Sequence, residues 1–320
     1  MTVAKVGGVC VLRDAGDIVG LLCGHYLRMG LARVAVVDDG STDGTFEFLS
    51  ALSQREPRVL VRRVLRDTFD QPELMTDLAN SLIREGYRLI IPFDADEFWN
   101  VSALALKERY RGRPDICFSG RVVNFVQWRS RIQPTPWGLL DIRYRAPSLV
   151  NADRQSISAF KYPFVCIGYR KIGFKTSREV DIGRGQHHLL SGPNEMDEYE
   201  HEIFHIPLRQ KSELAKRALN YEPRRASRRL SEDESWQSRF FREAMLAGRE
   251  DELWSLNSAD RHGALNSDQG TIQLISDRRL QFTLLASWAY MMTHHGGLMW
   301  RQQTSMRQRP NQPKKSSSQP

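Results

Sequence analysis

Two short acidic runs hold the residues of this sequence best suited to chemistry. The first, in VVDDGSTDGT, carries Asp38, Asp39, Ser41 and Asp43; the second, in PFDADEFW, carries Asp94, Asp96 and Glu97. Carboxylates packed this closely repel one another, so folding alone gives little reason to collect them. In the first run they can accept hydrogen bonds from a nucleotide base or from ribose hydroxyls, as the acidic residue of a dinucleotide site does. The competing structural reading is an ordinary Asp-Gly turn, which the same residue types favour. In the second run the acids sit among Ile90, Ile91, Phe93, Phe98 and Trp99. A carboxylate between apolar flanks needs a cation or hydrogen-bond donors. A Mg²⁺ or Mn²⁺ ion shared with diphosphate oxygens would serve, and would also stabilise charge on a departing nucleoside diphosphate. The structural alternative is an acid-rich helix start favoured by the helix dipole.

The elements that must position these runs alternate in a simple way. Residues 4–12 and 33–37 read as buried strands, separated by a helix over 17–29 that Gly30 ends. A helix over 45–52 follows, capped by Ser41 or Thr42. Then come a strand over 59–64, a helix over 72–85 and a strand over 88–93. Strands alternating with helices imply a parallel, doubly wound sheet, whose ligands bind beyond the carboxyl ends of the strands. Both acidic runs fall at strand carboxyl ends. Past about residue 115 the rhythm changes to a long strand over 116–127, short strand-like runs at 141–144, 160–167 and 187–190, and helical patterns over 212–219, 235–246 and 278–292.

Taken together these segments are similar to the family 2 glycosyltransferases. VVDDGSTDGTFEFL resembles their first nucleotide-binding segment, and FDADEF resembles their DxD metal-binding element. LRDAGDIVGLLCGHYLRMGL resembles the opening of a bacterial branch of that family, with Arg13-Asp14 standing where the branch has Asn-Glu. IFHIPLRQKSELAKRA resembles the same branch's His-Tyr-Pro-Leu-Arg-Ser segment. The resemblance runs over about residues 4–220. It implies an α/β fold of GT-A type, a Rossmann-like, mostly parallel sheet flanked by helices. The implied reaction is metal-dependent transfer of a sugar, with inversion, from a UDP- or GDP-sugar to a glycan or other hydroxyl acceptor, and a role in polysaccharide biosynthesis.

The resemblance also implies site roles. Asp38 and Asp39, in a loop completed by Ser41 and Asp43, would meet the base or ribose. Asp94 would approach the ribose or the metal, and Asp96 would bind the metal, which is Mn²⁺ or Mg²⁺. His205 or His188 would add a third ligand, and the Arg209 guanidinium would pair with the diphosphate. The domain plan that follows is a transferase domain over 1–220, with a nucleotide-binding half (1–114) and an acceptor half (115–220). A helical C-terminal extension over 221–300 and a basic disordered tail over 301–320 complete it.

An inverting transfer also needs a general base for the acceptor hydroxyl. After the DxD element the candidates are Asp181, Glu195, Asp197, Glu198 and Glu200, with Glu198 and Asp197 preferred; NEMDEYEHE itself reads as a mobile acidic loop. The spacing of His187, His188, His201 and His205 fits no zinc pattern. Trp128, Trp137 and Tyr144 are candidates to stack on an acceptor sugar, against a default of core packing.

Composition bounds the partners. The chain has 320 residues and a formal net charge of +8, much of it in the tail RQQTSMRQRPNQPKKSSSQP. A second basic cluster lies at Arg224, Arg225, Arg228 and Arg229. Such surfaces suit anionic partners, including nucleotides and lipid headgroups. Nucleic acid is disfavoured, because two acidic clusters at strand ends would repel its phosphates. The four cysteines form no CxxC pair and read as buried free thiols in a reducing compartment. The expected location is cytoplasmic, with at most a peripheral membrane contact. The rival functions are nucleotidyl transfer, and a degenerate transferase that only binds a nucleotide-sugar or nucleic acid.

Overall fold

The computed structural model describes residues 4–65, 70–132, 137–149, 152–215 and 236–307. Its axis is β1 (Lys5–Leu12), paired in parallel with β2 (Arg33–Asp38) on one side. Beyond β2 lies parallel β3 (Val59–Arg63), and on the other side of β1 lies parallel β4 (Tyr87–Pro92). Helices α1 (Val19–Arg28), α2 (Thr45–Ser53) and α3 (Gln71–Arg84) make the crossovers between them. The β-branched runs in β1, β2 and β4 are buried almost throughout, as strands covered on both faces must be.

Beyond β4 the sheet becomes mixed. A short β5 (Glu97–Trp99) leads into α4 (Ala103–Arg109), capped by the Ser102 hydroxyl, and then into the long β6 (Ile116–Val126). The next elements are β7 (Tyr144–Arg145), α5 (Arg154–Ser158), β8 (Arg170–Lys175), β9 (Asp181–Ile182), β10 (Leu189–Ser191) and β11 (Met196–His205). Strand β8 lies antiparallel between β4 and β6. Strand β11 runs parallel to β6 and antiparallel to β5, which brings His205 opposite Glu97. The chain continues through α6 (Trp236–Leu246), α7 (Glu250–Asn257), the hairpin β12 (Ala264–Ser267) and β13 (Gly270–Gln273), β14 (Ile275–Ser276) and α8 (Arg279–Arg307). Strand β14 joins the far edge of the sheet by pairing with β7.

Each sheet face has its own core. One packs α1, α2 and α4 on the sheet, with α8 laid over α1 and α2, through Ile18, Leu22, Phe48, Leu106, Leu284 and Met291. The other packs α3 through Leu74, Leu78 and Leu82. Helix α8 reaches α1 closely because Gly24 has no side chain: a Cβ there would lie 2.5 Å from the Ser287 carbonyl oxygen.

Several local expectations are corrected. The 160–167 run forms no strand; Phe164–Cys166 is a 3₁₀ turn, whose buried apolar residues imitate a short core strand. Helix α2 is capped at Gly44 in a left-handed conformation, not by Ser41 or Thr42. The NEMDEYEHE segment is no loop, since β11 begins at Met196. Its acids meet arginines: Asp197 with Arg109 and Arg113, Glu200 with Arg121 and Arg170, and Glu202 with Arg121 and Arg279. The last helix continues through Arg307, seven residues into the stretch expected to be a disordered tail. Residues 308–320, the arginine cluster at 224–229 and the end of the expected 212–219 helix lie outside the described residues.

Candidate active site at the strand carboxyl ends

The two acidic runs end strands that flank β1 on either side. With strands about 4.8 Å apart, the two clusters are separated by roughly 10 Å. Asp38 is fully buried. Its Oδ1 accepts from the Ser41 amide at 3.1 Å and lies 3.5 Å from Arg63 Nε. Its Oδ2 has no hydrogen-bond partner among the described residues. Asp39 is buried beside it, its amide donating to the Leu12 carbonyl.

Ser41 and Asp43 have local work. The Ser41 hydroxyl accepts from the Asp14 amide at 2.9 Å, and the Asp14 carboxylate accepts from the Thr42 amide at 2.7 Å. Asp43 Oδ2 accepts from the Gly16 amide at 2.8 Å, while Oδ1 accepts from the Thr45 amide and hydroxyl. This double clamp ties the loop after β1 to the start of α2. Asp38 and Asp39 stand outside this clamp, buried at the end of β2.

At the second run, Asp94 is held on three sides. Gln71 and Gln186 donate to its Oδ1 at 2.8 and 3.3 Å, and the Lys171 ammonium donates to Oδ2 at 2.5 Å. Lys171 is 2% exposed and also reaches Gln186 Oε1 at 2.8 Å and Glu97 Oε1 at 3.0 Å. Burial alone would push its pKa down; Asp94 and Glu97 outweigh that and hold it well above the ordinary lysine value. Burial pushes the Glu97 carboxyl up, and Lys171 opposes the shift. The other Glu97 oxygen accepts from the Asp94 amide, closing the DADE turn on itself.

Asp96 points to a different set of partners. His205 Nε2 lies 3.6 Å from its Oδ1, and Arg209 Nη1 lies 3.7 Å from its Oδ2. Arg209 is itself buried, donating to both Asp17 oxygens at 2.6 and 3.1 Å and to Glu213 at 2.6 Å. Its guanidinium loses hydration by burial, and Asp17 and Glu213 more than restore the charged state.

The tautomer of His205 follows from its neighbours. Asn124 Nδ2 donates to the Val165 and Ile167 carbonyls at 2.8 and 3.1 Å, which fixes the amide so that Oδ1 faces His205. Oδ1 only accepts, and it lies 2.7 Å from His205 Nδ1, so that nitrogen carries the hydrogen. Tyr169 Oη lies 2.9 Å from the same nitrogen. In the neutral ring Nε2 is then an acceptor, 3.6 Å from an Asp96 carboxylate oxygen. A ligating histidine is held in the same way, by a hydrogen bond to its other nitrogen.

Asp94, Asp96 and His205 line a cavity of ≈ 210 Å³, together with Gln71, Asn124 and Tyr169. Asp94 and Asp96 are its carboxylates. Asp197 and Glu198 lie near the opposite end of β11, eight residues from His205 and so ~25 Å away. Burial pushes the Asp197 carboxyl up, but hydrogen bonds from Arg109, Tyr110 and Arg113 hold it well below the usual carboxylate range. Such a carboxylate is a poor proton acceptor. Glu198 is exposed on the strand. His188 is exposed and packs over Gly183, apart from this cavity. Trp128 packs edge-on against Tyr144, and Trp137 against Trp288, so the rings lining the cavity are Phe164, Tyr169 and His205. Among the described residues no group of three or more His, Cys, Asp and Glu side chains is gathered for a metal. The donors at hand are two, Asp96 and His205; hard divalent ions commonly complete their shell with substrate phosphate and water.

No protein-family model matches the sequence, and no curated protein matches it. Solved structures with a related arrangement include GalNAc-T7 with UDP, GalNAc and Mn²⁺, at TM-score 0.29 and 16% identity over 38% of this chain and 24% of that one. S. aureus TarS residues 1–349 align at TM-score 0.33 and 12% identity, over 67% of this chain and 64% of that one. A 4-diphosphocytidyl-2C-methyl-D-erythritol synthase from Anaerococcus prevotii aligns at TM-score 0.26 and 10% identity, over 42% and 61%. The chain spans less than two thirds of each. At TM-scores this low the likenesses bear on neither activity nor substrate.

Proposed function

We propose that the protein transfers a sugar from a nucleotide-sugar donor to a hydroxyl acceptor. The observation that carries this reading is the His205–Asp96 acceptor pair, with His205 locked in its tautomer by Asn124, at the carboxyl end of the sheet. In this reading Asp96 and His205 hold a Mn²⁺ or Mg²⁺ ion. When bound, that ion neutralises charge on the donor diphosphate and on the departing nucleoside diphosphate. Asp38 and Asp39, one strand beyond β1, supply acceptors for the base and ribose; the buried Asp38 Oδ2 offers an unused lone pair for this. Lys171 pairs with Asp94 and fixes its orientation, while the glutamines on either side restrict its rotation. Arg209 offsets part of the charge on Asp96 and anchors it to Asp17 on the loop after β1. Nucleotidyl transfer is less well supported. The loop after β1 is clamped to the 41–45 segment by Asp14 and Asp43, whereas a phosphate-cradling loop presents free amides.

The test is calorimetric titration of UDP and GDP, each with and without Mn²⁺, on the wild type, Asp96→Ala and His205→Ala. The expected result is nucleotide binding that strengthens with Mn²⁺ in the wild type alone. Binding that ignores Mn²⁺, or variants that retain its full effect, would remove the metal from the site.

A further inference from the structure

Arg13 is a cation at the strand carboxyl ends whose fork is left open. It is the first residue beyond β1, and β1 lies between the two strands that end in the acidic runs. Its neighbour Leu12 pairs with Asp38 and accepts from the Asp39 amide, so Arg13 leaves the sheet beside the first run. Asp14 then turns the chain in a left-handed conformation, φ 49°, which a non-glycine residue keeps only where its surroundings hold it. The Thr42 amide and hydroxyl do so, both donating to the Asp14 carboxylate. The guanidinium of Arg13 has no comparable partner. Among the described residues it donates no hydrogen bond, and its ion pair with Asp14, 3.6 Å from Nε, is too long to be one. Nε is shielded from solvent and unpartnered, yet the side chain is 29% exposed. Nη1 and Nη2 are not among the shielded atoms, so the open part of the side chain is its fork.

The cations on either side are committed. Lys171 is held between Asp94 and Glu97, and Arg209 by Asp17 and Glu213. Arg63 sits beside Asp38, donates to the Ser41 carbonyl at 3.0 Å and covers the Phe46 ring. The Thr42 and Gly16 amides are taken by Asp14 and Asp43. An anion entering between the two runs therefore meets the Arg13 fork, which can present two parallel N–H groups to phosphate oxygens. A protein carboxylate is the other acceptor such a fork suits, but the one beside it, Asp14, is already turned to Thr42. In a bound nucleotide-sugar the diphosphate stands between nucleoside and sugar. Here that is the space between Asp38 and Asp39 on one side and the Asp96–His205 pair on the other, roughly 10 Å apart. We propose that Arg13 grips the donor diphosphate directly, so that part of the donor's binding needs no metal ion. This rests on the nucleotide-sugar reading, and it moves to Arg13 the diphosphate contact that the sequence suggested for Arg209.

The experiment is calorimetric titration of UDP, GDP, UMP and GMP into the full chain, first in EDTA and then with Mn²⁺. Arg13→Gln and Arg13→Lys are run beside the wild type, with circular dichroism to confirm the fold. The wild type should bind a nucleoside diphosphate in EDTA. Arg13→Gln should weaken that binding about 10–100-fold, the loss expected for charge-assisted hydrogen bonds to phosphate. The loss should be larger for the diphosphate than for the matching monophosphate. Mn²⁺ should still strengthen diphosphate binding to Arg13→Gln, a response that a disrupted site would not keep. Arg13→Lys should recover part of the affinity, since it restores the charge without the fork. Diphosphate binding that is unchanged in Arg13→Gln, or a loss equal for diphosphate and monophosphate, overturns the proposal. So does a wild type that binds the diphosphate only when Mn²⁺ is present; that result leaves the nucleotide-sugar reading standing. A wild type that binds no nucleotide in either condition removes both.

Discussion

Replacing Lys171 with methionine, a side chain of similar length without charge, tests how the second acidic run is held together. The ammonium sits between Asp94 and Glu97 at 2.5 and 3.0 Å and is 2% exposed, so water cannot replace it. Removing one partner of a buried ion pair costs about 3–5 kcal/mol, because the remaining charges stay desolvated. That is a large part of the roughly 5–15 kcal/mol that stabilises an ordinary domain. In urea it should lower the unfolding midpoint by about 1–2 M. The deficit should depend on pH. Burial already raises the Glu97 carboxyl, and loss of Lys171 removes the main group opposing that shift. A carboxyl with a raised folded pKa favours the folded state below its unfolded value and loses that contribution as pH rises through the folded one. The variant should therefore be further below wild type at pH 8 than at pH 5. Adding Glu97→Gln to Lys171→Met should recover about 2 kcal/mol at pH 8 by removing one stranded charge. A Lys171→Met protein within 1 kcal/mol of wild type, or a double variant no more stable than the single one, would refute the reasoning.

Other expectations follow from the same geometry. Asn124→Leu should weaken Mn²⁺-dependent nucleotide binding about 10–100-fold while leaving metal-free binding nearly unchanged, read by calorimetry, because the His205 tautomer is no longer fixed. Burial lowers His25 to about 3 and His201 to about 4, so both stay neutral in the fold. Bases with depressed folded pKa values lose stability as pH falls below the unfolded value, and between pH 6.5 and 5.5 each should cost roughly 1 kcal/mol. His25→Gln should remove about half of that slope in urea titrations, and an unchanged slope would show that His25 titrates normally. Asp43→Ala should cost about 1–2 kcal/mol in thermal or urea unfolding, since one carboxylate serves the Gly16 and Thr45 amides.

The sequence made the first half of the fold readable because parallel strands are short, apolar and separated by helices of clear period. Asp38 and Asp94 could be placed at strand ends for that reason alone. The partners that give those acids their character could not be read. Lys171 lies 77 positions from Asp94 in the chain, and Asn124 lies 81 from His205. Nothing local marks Lys171 in YRKIGFK as a buried cation. The β11 acids misled for a related reason: an acidic run looks solvated until the arginines facing it arrive from β6, β8 and the α4 region. The 160–167 run misled because a short apolar stretch has no period to distinguish a strand from a buried turn.

The contact between Gly24 and Ser287 also has a bearing on how the protein is made. The face of α1 opposite the sheet is completed by a helix that comes more than 250 positions later in the chain. During synthesis that face must wait, uncovered, until the ribosome has passed Met291. Native-like β1–β4 pairing can form early, but its outer layer closes late. A nascent chain stalled before α8 would carry an exposed strip at Gly24, where a chaperone or a neighbouring nascent chain could bind. Translation rate and chaperone supply, rather than equilibrium stability, would then set how much of the protein reaches its finished form.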